Sequence, residues 1–314
     1  MQNFLFSFNA IFPVAALILL GYILRKTKFI SADFISNSSM LVFRIALPVL
    51  IFRNIARTDF SKVFNGEEIF LSVGMTIIIY FIAWFFAGKM SEIPAEQGPF
   101  VQGAFRGNVA IVGTAIAMNI YGPEGAARVA MHVCFLMPLY NILAVIVLTV
   151  PMGKNNAGGW QKILLKIITN PLIIAVVVSL PFSIYSIPIP VIFQGAIDYT
   201  AQLTLPLALL GIGGSLSFSA FGKHPVLAVI ATALKLIILP ASTILMSVLL
   251  KLNIQDPGIL FLLMGAPTAV SSFIMTKEMG SDEVLQANII ALTSFVSMFT
   301  LGLGIFILRT LGMI

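Results

Sequence analysis

The chain has 314 residues, of which 59% are hydrophobic and only 10% are charged, and its mean hydropathy is +1.04. Soluble globular proteins carry about 25% charged residues, so this composition excludes a water-soluble fold and predicts an integral membrane protein. The net charge of +6 fits either basic residues concentrated in cytoplasmic loops or attraction of an anion, and the charge by itself does not separate these two explanations.

Ten apolar segments follow one another along the chain, each long enough for a helix across a hydrocarbon core about 30 Å thick. They are continuous and lack the alternating pattern of membrane β-barrel strands. We therefore predict an all-α polytopic membrane protein with ten transmembrane helices, called spans 1 to 10. The first 24 residues lack a basic n-region and a cleavage site, so we expect span 1 there rather than a removed signal peptide. The predicted ranges are 4–24, 34–54, 68–89, 99–121, 125–149, 163–184, 190–217, 225–250, 257–279 and 283–309.

The positions of proline and glycine indicate an internal duplication. A shift of 158 residues aligns Pro13 with Pro171 and Gly107 with Gly265. The same shift aligns Leu47-Pro48 with Leu205-Pro206, Pro99 with Pro257, and Gly122 with Gly280. Each half holds an odd number of spans, so the two halves must have opposite orientations. Inverted repeats with interrupted helices are typical of secondary transporters, whose substrate site lies where the repeats meet.

The repeats are predicted over residues 1–152 (spans 1–5) and 163–314 (spans 6–10), joined by a polar loop over 153–162. Their orientation follows from the distribution of Lys and Arg. With both termini outside, nine basic residues lie in inner loops and six lie on the outer side. This excess favours both termini outside.

Span 4 contains residues that are unfavourable in a membrane helix. Its sequence FRGNVAIVGTAIAMNIYG places Arg106, Asn108 and Thr114 in a region that should be apolar. Gly107 and Gly113 weaken the helix further. We predict a break in span 4 near these residues.

Span 9, the partner of span 4 in the duplication, has a second predicted break. Pro267 removes a backbone donor and clashes with the preceding turn. Thr268, Ser271 and Ser272 add hydroxyl groups around it.

The two breaks suit the binding of an anion. Free backbone groups cost several kcal/mol in hydrocarbon, so a break persists only inside protein or beside a water-filled cavity. A half-helix that starts there presents its positive end, which suits a carboxylate. From inverted repeats, the breaks would cross near the midplane, where Asn108 and Thr268 could add hydrogen bonds to substrate. The alternative is that these small and polar residues only allow close helix packing.

Motifs in four spans keep a common order and spacing. They are Ala46-Leu47-Pro48 in span 2, Arg106-Gly107-Asn108 with Gly113 and Tyr121-Gly122 in span 4, Leu205-Pro206-Leu207-Ala208 with Gly211 to Leu216 in span 7, and Pro267-Thr268-Ala269 to Gly280 in span 9. This set resembles the motifs of the auxin efflux carrier family. Some members have a proline beside the span-4 asparagine, whereas Gly107 and Val109 flank Asn108 here. The break in span 4 is therefore expected to be softer than that at Pro267.

The resemblance implies a fold of two inverted five-helix repeats, related to bile-acid sodium symporters, with helices 4 and 9 crossing at the substrate site. It implies a scaffold of spans 1, 2, 6 and 7, a transport domain of spans 3–5 and 8–10, an elevator mechanism and a homodimer. Plant members carry auxin, and bacterial members are linked to dicarboxylates such as malonate and malate. The long cytoplasmic loop of many plant members is missing, which implies a short bacterial type in the inner membrane.

Four ionisable side chains within spans are candidates for coupling or charge pairing, because such groups are costly in a membrane. Arg44 could counter a substrate anion, or it could pair or snorkel. Asp198 could bind H⁺ or Na⁺, or pair with Arg44, and the structural pair is favoured. Lys235 could be an anion ligand or a stand-in for a coupling cation. His132 is more typical of a helix-packing group.

The sequence thus predicts a secondary transporter of small organic anions in the lipid bilayer. The candidate substrate-binding residues are Arg44, Gly107, Asn108, Gly113, Thr114, Pro267, Thr268, Ser271 and Ser272. No HExxH, GxSxG or P-loop motif is present, so no enzyme, cofactor, metal site or nucleic-acid partner is expected. Two alternatives stay open: a Na⁺- or H⁺-coupled symporter or exchanger of the same fold, and a ligand-sensing membrane receptor that does not translocate.

Overall fold

The computed structural model describes residues 2–57, 64–153, 169, 171–215 and 224–314. These residues form eleven helices and no β-strand, which confirms the all-α prediction. Beyond Gly153, the predicted connector and the start of span 6 lie outside the described residues. The helices are α1 (Gln2–Lys26), α2 (Ala32–Ala56), α3 (Gly66–Met90), α4 (Pro94–Phe105), α5 (Val109–Thr149), α6 (Pro171–Ile184), α7 (Val191–Ser215), α8 (Pro225–Leu249), α9 (Pro257–Gly265), α10 (Ser271–Glu278) and α11 (Glu283–Thr310).

Several helices have the length and composition of membrane spans. Five of those described, α2, α3, α5, α8 and α11, are long and apolar enough to cross a membrane, and α6 is a shorter apolar helix. Large apolar side chains such as Phe70 and Phe299 point outwards. Exposed apolar side chains of this size are typical of a surface that meets lipid or another protein. The number of crossings and the inverted orientation of the halves stay predictions.

Helices begin where the sequence supplies a cap or a proline. The side chains of Asn65, Asp256 and Asp282 accept hydrogen bonds from backbone N–H groups at the starts of α3, α9 and α11. Pro94 and Pro225 begin α4 and α8. A capping side chain satisfies a free helical N–H group, and a proline has no N–H group to leave unpaired.

Two helices contain a wide π-helical turn directly before a Leu-Pro pair. In α2 this turn is Val42–Ala46, before Leu47-Pro48, and in α8 it is Leu234–Ile238, before Leu239-Pro240. Proline lacks an N–H group and clashes with the carbonyl four residues earlier, so a wider turn relieves the clash.

Two glycines that align in the duplication adopt a left-handed backbone. Gly122 interrupts α5 with φ of 66°, and Gly280 follows α10 with φ of 70°. At these points span 4 turns into span 5 and span 9 turns into span 10. The shared positive φ explains why glycine stands at both positions, because residues with a Cβ rarely adopt it.

We expect Gly122→Ala to lower the free energy of unfolding by about 1–3 kcal/mol, because φ of 66° and ψ of −154° lie in a backbone region essentially restricted to glycine. A Cβ on Gly122 would meet no atom within 4 Å, so steric crowding does not contribute. Gly302→Ala is the matched control, since its Cβ also has open space and Gly302 lies within α11. Alanine there should be neutral or stabilising. Thermal unfolding in detergent compares the two, and equal effects would contradict the argument.

The helices pack in two groups. In the first, α1 lies along α7, and α2 packs against α6 and α7. Gly21 and Gly213 allow close approach there, because a Cβ on either would overlap the backbone of Leu210 or Ile18 respectively. In the second group, α4 packs against α3, α5, α8 and α11. Contact between α1 and α11 joins the groups.

Candidate functional site

The two predicted helix breaks meet each other. Chain between α4 and α5 lies antiparallel to chain between α9 and α10, with Gly107 and Thr268 forming an isolated β-bridge. The N–H of Asn108 donates to the Pro267 carbonyl at 2.6 Å, and the N–H of Ala269 donates to the Arg106 carbonyl at 3.1 Å. The two breaks thus satisfy each other's backbone groups inside the protein, as a break in a membrane helix requires. We call residues 106–108 and 266–270 the crossing.

Thr268 connects the crossing to α4 and α11 through hydrogen bonds. Its side chain is fully buried, and its hydroxyl donates to the Gly103 carbonyl at 2.8 Å. Its N–H donates to the hydroxyl of Thr293 at 3.1 Å. The hydroxyl of Thr268 therefore caps the end of α4, and this geometry favours a structural role over the predicted substrate contact.

We expect Thr268→Val to lower the free energy of unfolding by about 1 kcal/mol, because the isosteric change leaves the Gly103 carbonyl without its partner. Thr200→Val is the control, since the Thr200 hydroxyl makes a similar bond, to Ala196, on an exposed face of α7. Urea or thermal unfolding measures both variants. A Thr268→Val protein as stable as the control would rule out this role.

Two helices start at the crossing. The helix α5 begins at Val109 and α10 begins at Ser271, so both positive ends are directed there. The side-chain amide of Asn108 makes no hydrogen bond within the described part of the chain, and Ser271 is exposed. The Asn108 amide is thus a buried polar group at one helix start, and the Ser271 hydroxyl lies at the other.

Arg106 is a buried cation at the crossing, only 3% exposed. Its guanidinium donates to the side-chain oxygens of Gln102 at 3.2 Å, Asn141 at 3.0 Å and Ser271 at 3.4 Å, all of them neutral. Another guanidinium N–H group approaches the Met275 sulfur at 2.8 Å. Within residues 2–57, 64–153, 171–215 and 224–314, no carboxylate lies within 4 Å of the Arg106 guanidinium. Sequence reasoning noted Arg106 as unusual but gave it no role.

Lys235 is a second buried cation beside the crossing, with an exposure of 0%. Its ammonium donates to the Met264 carbonyl at 2.7 Å. A Cβ built on Gly107 would lie 3.0 Å from the same nitrogen, so the ammonium packs directly against the span-4 break. Lys235, too, has no ion pair among the described residues. Two buried cations with only neutral partners create a positive potential that favours an anion.

The remaining candidates have different surroundings. Pro267 contributes its carbonyl to the crossing. The hydroxyl of Ser272 donates to the Ala269 carbonyl of its own turn at 2.5 Å. Gly113 and Thr114 are buried within α5. Arg44 is exposed, and its π-helical turn packs against α6 and α7.

Asp198 does not pair with Arg44, so the favoured structural pair is wrong in its partner. The Asp198 carboxylate accepts two hydrogen bonds from Arg57, at 2.9 and 3.2 Å, and lies 3.8 Å from Arg53. The physical reason is depth along the helices, since Asp198 lies near the start of α7, beside the end of α2. A carboxylate held by two arginines is already charge-compensated.

His132 agrees with the packing interpretation. It is 1% exposed, and its Nδ1 lies 3.0 Å from the carbonyl of Arg128 in the preceding turn of α5.

A cluster that sequence reasoning missed joins three helix starts at one end of the bundle. His224 precedes α8, with its Nδ1 3.1 Å from Glu96 of α4 and its Nε2 3.4 Å from Asp282, the cap of α11. These three side chains could hold a metal ion by proximity, since their ligand atoms lie within 4.8 Å of one another. The imidazole turns one nitrogen to each carboxylate, however, and that arrangement fits a hydrogen-bonded ring better than a ligand of a shared ion.

A surface cavity lies away from the crossing. It has a volume of about 400 Å³ and is lined by the end of α2, the end of α6, the loop that follows and the start of α7, including Arg57, Phe182 and Gln194. None of its lining residues belongs to the crossing, and it lacks the buried cations found there. We therefore place the candidate site at the crossing, on its chemistry, rather than at this surface cavity.

Comparison with known proteins gives matches along nearly the whole chain. A family model described as "Membrane transport protein" matches residues 6–163 and 159–305. A Rhizobium meliloti protein named "Putative malonate transporter" is 25% identical over 315 residues, covering 96% of this chain and 95% of that protein. An uncharacterized transporter of Methanocaldococcus jannaschii is 22% identical over 308 residues, covering 94% and 96%. Another, from Methanothermobacter thermautotrophicus, is 22% identical over 305 residues, covering 96% and 98%.

Proposed function

The chain belongs to the membrane transport protein family, and from this membership we propose that it is a secondary transporter of small organic anions. The observation that carries the choice of an anion is the pair of buried cations, Arg106 and Lys235, beside the crossing. Both have neutral hydrogen-bond partners, and two positive helix ends point to the same place. A cation substrate would be repelled there.

The proposed binding step uses three side chains. A substrate carboxylate contacts the Asn108 amide and the Ser271 hydroxyl at the starts of α5 and α10. Arg106 lies directly behind, because its guanidinium already touches the Ser271 hydroxyl at 3.4 Å. Arg106 is the charged member of these three side chains, so its Coulomb attraction supplies the largest share of the binding energy.

Movement of the site is proposed to follow an elevator mechanism. The packing groups support this, since α1, α2, α6 and α7 form one and α4 is surrounded by α3, α5, α8 and α11 in the other. The second group carries the crossing and would slide against the first, a bistable rearrangement of packed elements. A homodimer in a bacterial inner membrane, with both termini outside, completes the proposal.

Malonate and malate are the first substrates to test, because a relative of similar length is named for malonate. Asp198 is a poor coupling site, since Arg57 and Arg53 already compensate its charge.

The test is uptake of labelled malonate and malate into proteoliposomes, with imposed potential, Na⁺ and pH gradients applied separately. We expect saturable uptake that other carboxylates compete for, and counterflow when unlabelled substrate is loaded inside. Saturable binding without counterflow would contradict transport and favour the receptor alternative. Transport of amines but not carboxylates would contradict the anion assignment.

A further inference from the structure

Lys235 stands at the negative end of a broken helix. Its ammonium donates to the carbonyl of Met264, the penultimate residue of α9. The last carbonyls of a helix have no partner within it and carry partial negative charge. A cation at this position therefore satisfies both a free acceptor and the helix dipole.

The hydrogen-bond partner of the ammonium is a backbone carbonyl rather than a carboxylate. A Cβ on Gly107 would lie 3.0 Å from the Lys235 nitrogen and 3.5 Å from the Leu263 carbonyl oxygen, so Gly107 borders both the ammonium and the last turn of α9. Across the described ranges, Lys235 forms no ion pair. Backbone carbonyls at the negative end of an interrupted helix are the environment in which transporters bind coupling cations such as Na⁺.

The position of Lys235 also argues against direct contact with substrate. Its side chain is completely buried, and its bond runs to the backbone of α9. Asn108 and Ser271, by contrast, lie at the two positive helix ends, and Ser271 is exposed. Lys235 thus lies where a cation would stabilise the crossing without contacting the substrate.

We propose that the Lys235 ammonium is a tethered cation that replaces a free coupling cation at the crossing, so that this site needs no Na⁺. The role in transport rests on the proposed function, but occupancy of the site by a cation does not. Lys235 is a positioning residue in this proposal, because it holds the end of α9 against Gly107. Removing its side chain should create an empty site that a small cation can fill.

The experiment compares wild type, Lys235→Ala and Lys235→Met, purified as full chains in detergent. Melting temperature is measured in chloride salts of Na⁺, methylammonium, tetramethylammonium or choline at equal ionic strength. Methylammonium can donate N–H groups to the carbonyls, whereas tetramethylammonium cannot. No organic anion is present, so this readout is independent of any transport result.

We expect Lys235→Ala to melt roughly 5 °C below wild type in choline, and Na⁺ or methylammonium to restore most of the loss. Tetramethylammonium should not restore it. Lys235→Met fills the space without charge, so no salt should rescue it. Equal responses of all three proteins to every salt would overturn the proposal, and so would wild-type uptake that requires Na⁺.

A second comparison applies if Lys235→Ala does not fold. Gly107→Ala should lower the melting temperature, because its methyl group crowds the ammonium, whereas a Cβ on Gly113 meets its nearest atom at 3.7 Å. Gly113→Ala is therefore the matched control. In a Lys235→Met background the loss from Gly107→Ala should change, since the ammonium is absent. An identical loss in both backgrounds would sink the proposed contact.

Discussion

Replacing Arg106 with glutamine is expected to reduce uptake of labelled malonate by about two orders of magnitude. Arg106 is 3% exposed, and its partners among the described residues are neutral. Its charge is therefore available to a substrate carboxylate. Removing one member of a buried, hydrogen-bonded charge pair costs about 2–5 kcal/mol, and each 1.4 kcal/mol is about tenfold in affinity. We expect the lower part of this range, because Arg106 acts from behind the Ser271 hydroxyl.

The Arg106→Gln effect should separate into charge and geometry. Arg106→Lys keeps the charge but loses the several N–H groups that reach Gln102, Asn141 and Ser271 at once, so its uptake should be intermediate. Arg309→Gln is the charge-matched control, because Arg309 stacks over Phe6 at the end of α11. Initial uptake rates at low substrate give the ratios, and melting temperatures show whether each variant is folded.

The result for Arg106 bears directly on the sign of the substrate charge. If Arg106→Gln transports malonate like wild type, the guanidinium has a structural role and the anion assignment loses its main support. If the variant unfolds instead, Arg106→Lys still tests the proposal, because it retains a cation in the same position.

Much of the helical framework could be predicted from hydrophobic runs and from proline and glycine. The predicted span 283–309 became α11, Glu283–Thr310, and 68–89 became α3, Gly66–Met90. Both helix breaks formed where Gly107 and Pro267 predicted them. The family resemblance, inferred from motifs in the same segments, is confirmed by the family match. These features were predictable because they depend on backbone chemistry and local sequence.

Side-chain partners were harder to predict, because they depend on the depth of each helix in the bundle. Asp198 pairs with Arg57 rather than Arg44, and only the relative heights of α2 and α7 decide between them. The ammonium of Lys235 reaches Met264, 29 residues further along the chain. Nothing in the local sequence around Lys235 indicates a carbonyl at the end of another, interrupted helix.

It was equally hard to predict from the sequence which polar groups of the site keep a free hydrogen-bonding position. Thr268 and Asn108 look alike in sequence, as polar residues in matched broken spans. In the structure the hydroxyl of Thr268 donates to the Gly103 carbonyl, whereas the amide of Asn108 has no hydrogen-bond partner among the described residues. This difference arises from the pairing of the two breaks. It directs the Thr268 hydroxyl to the end of α4 and places the Asn108 side chain at the start of α5.

Asn108→Ala is therefore expected to lower uptake by roughly one to two orders of magnitude, while Thr268→Val mainly lowers stability. A hydrogen bond to a charged group contributes about 1.5–3 kcal/mol, and the Asn108 amide is placed to donate to a carboxylate at the start of α5. Asn119→Ala is the control, since Asn119 is an exposed asparagine further along the same helix. Uptake rates and melting temperatures of the variants decide the matter. A folded Asn108→Ala protein with wild-type uptake would show that the substrate does not bind at the crossing, whose role would then be purely structural.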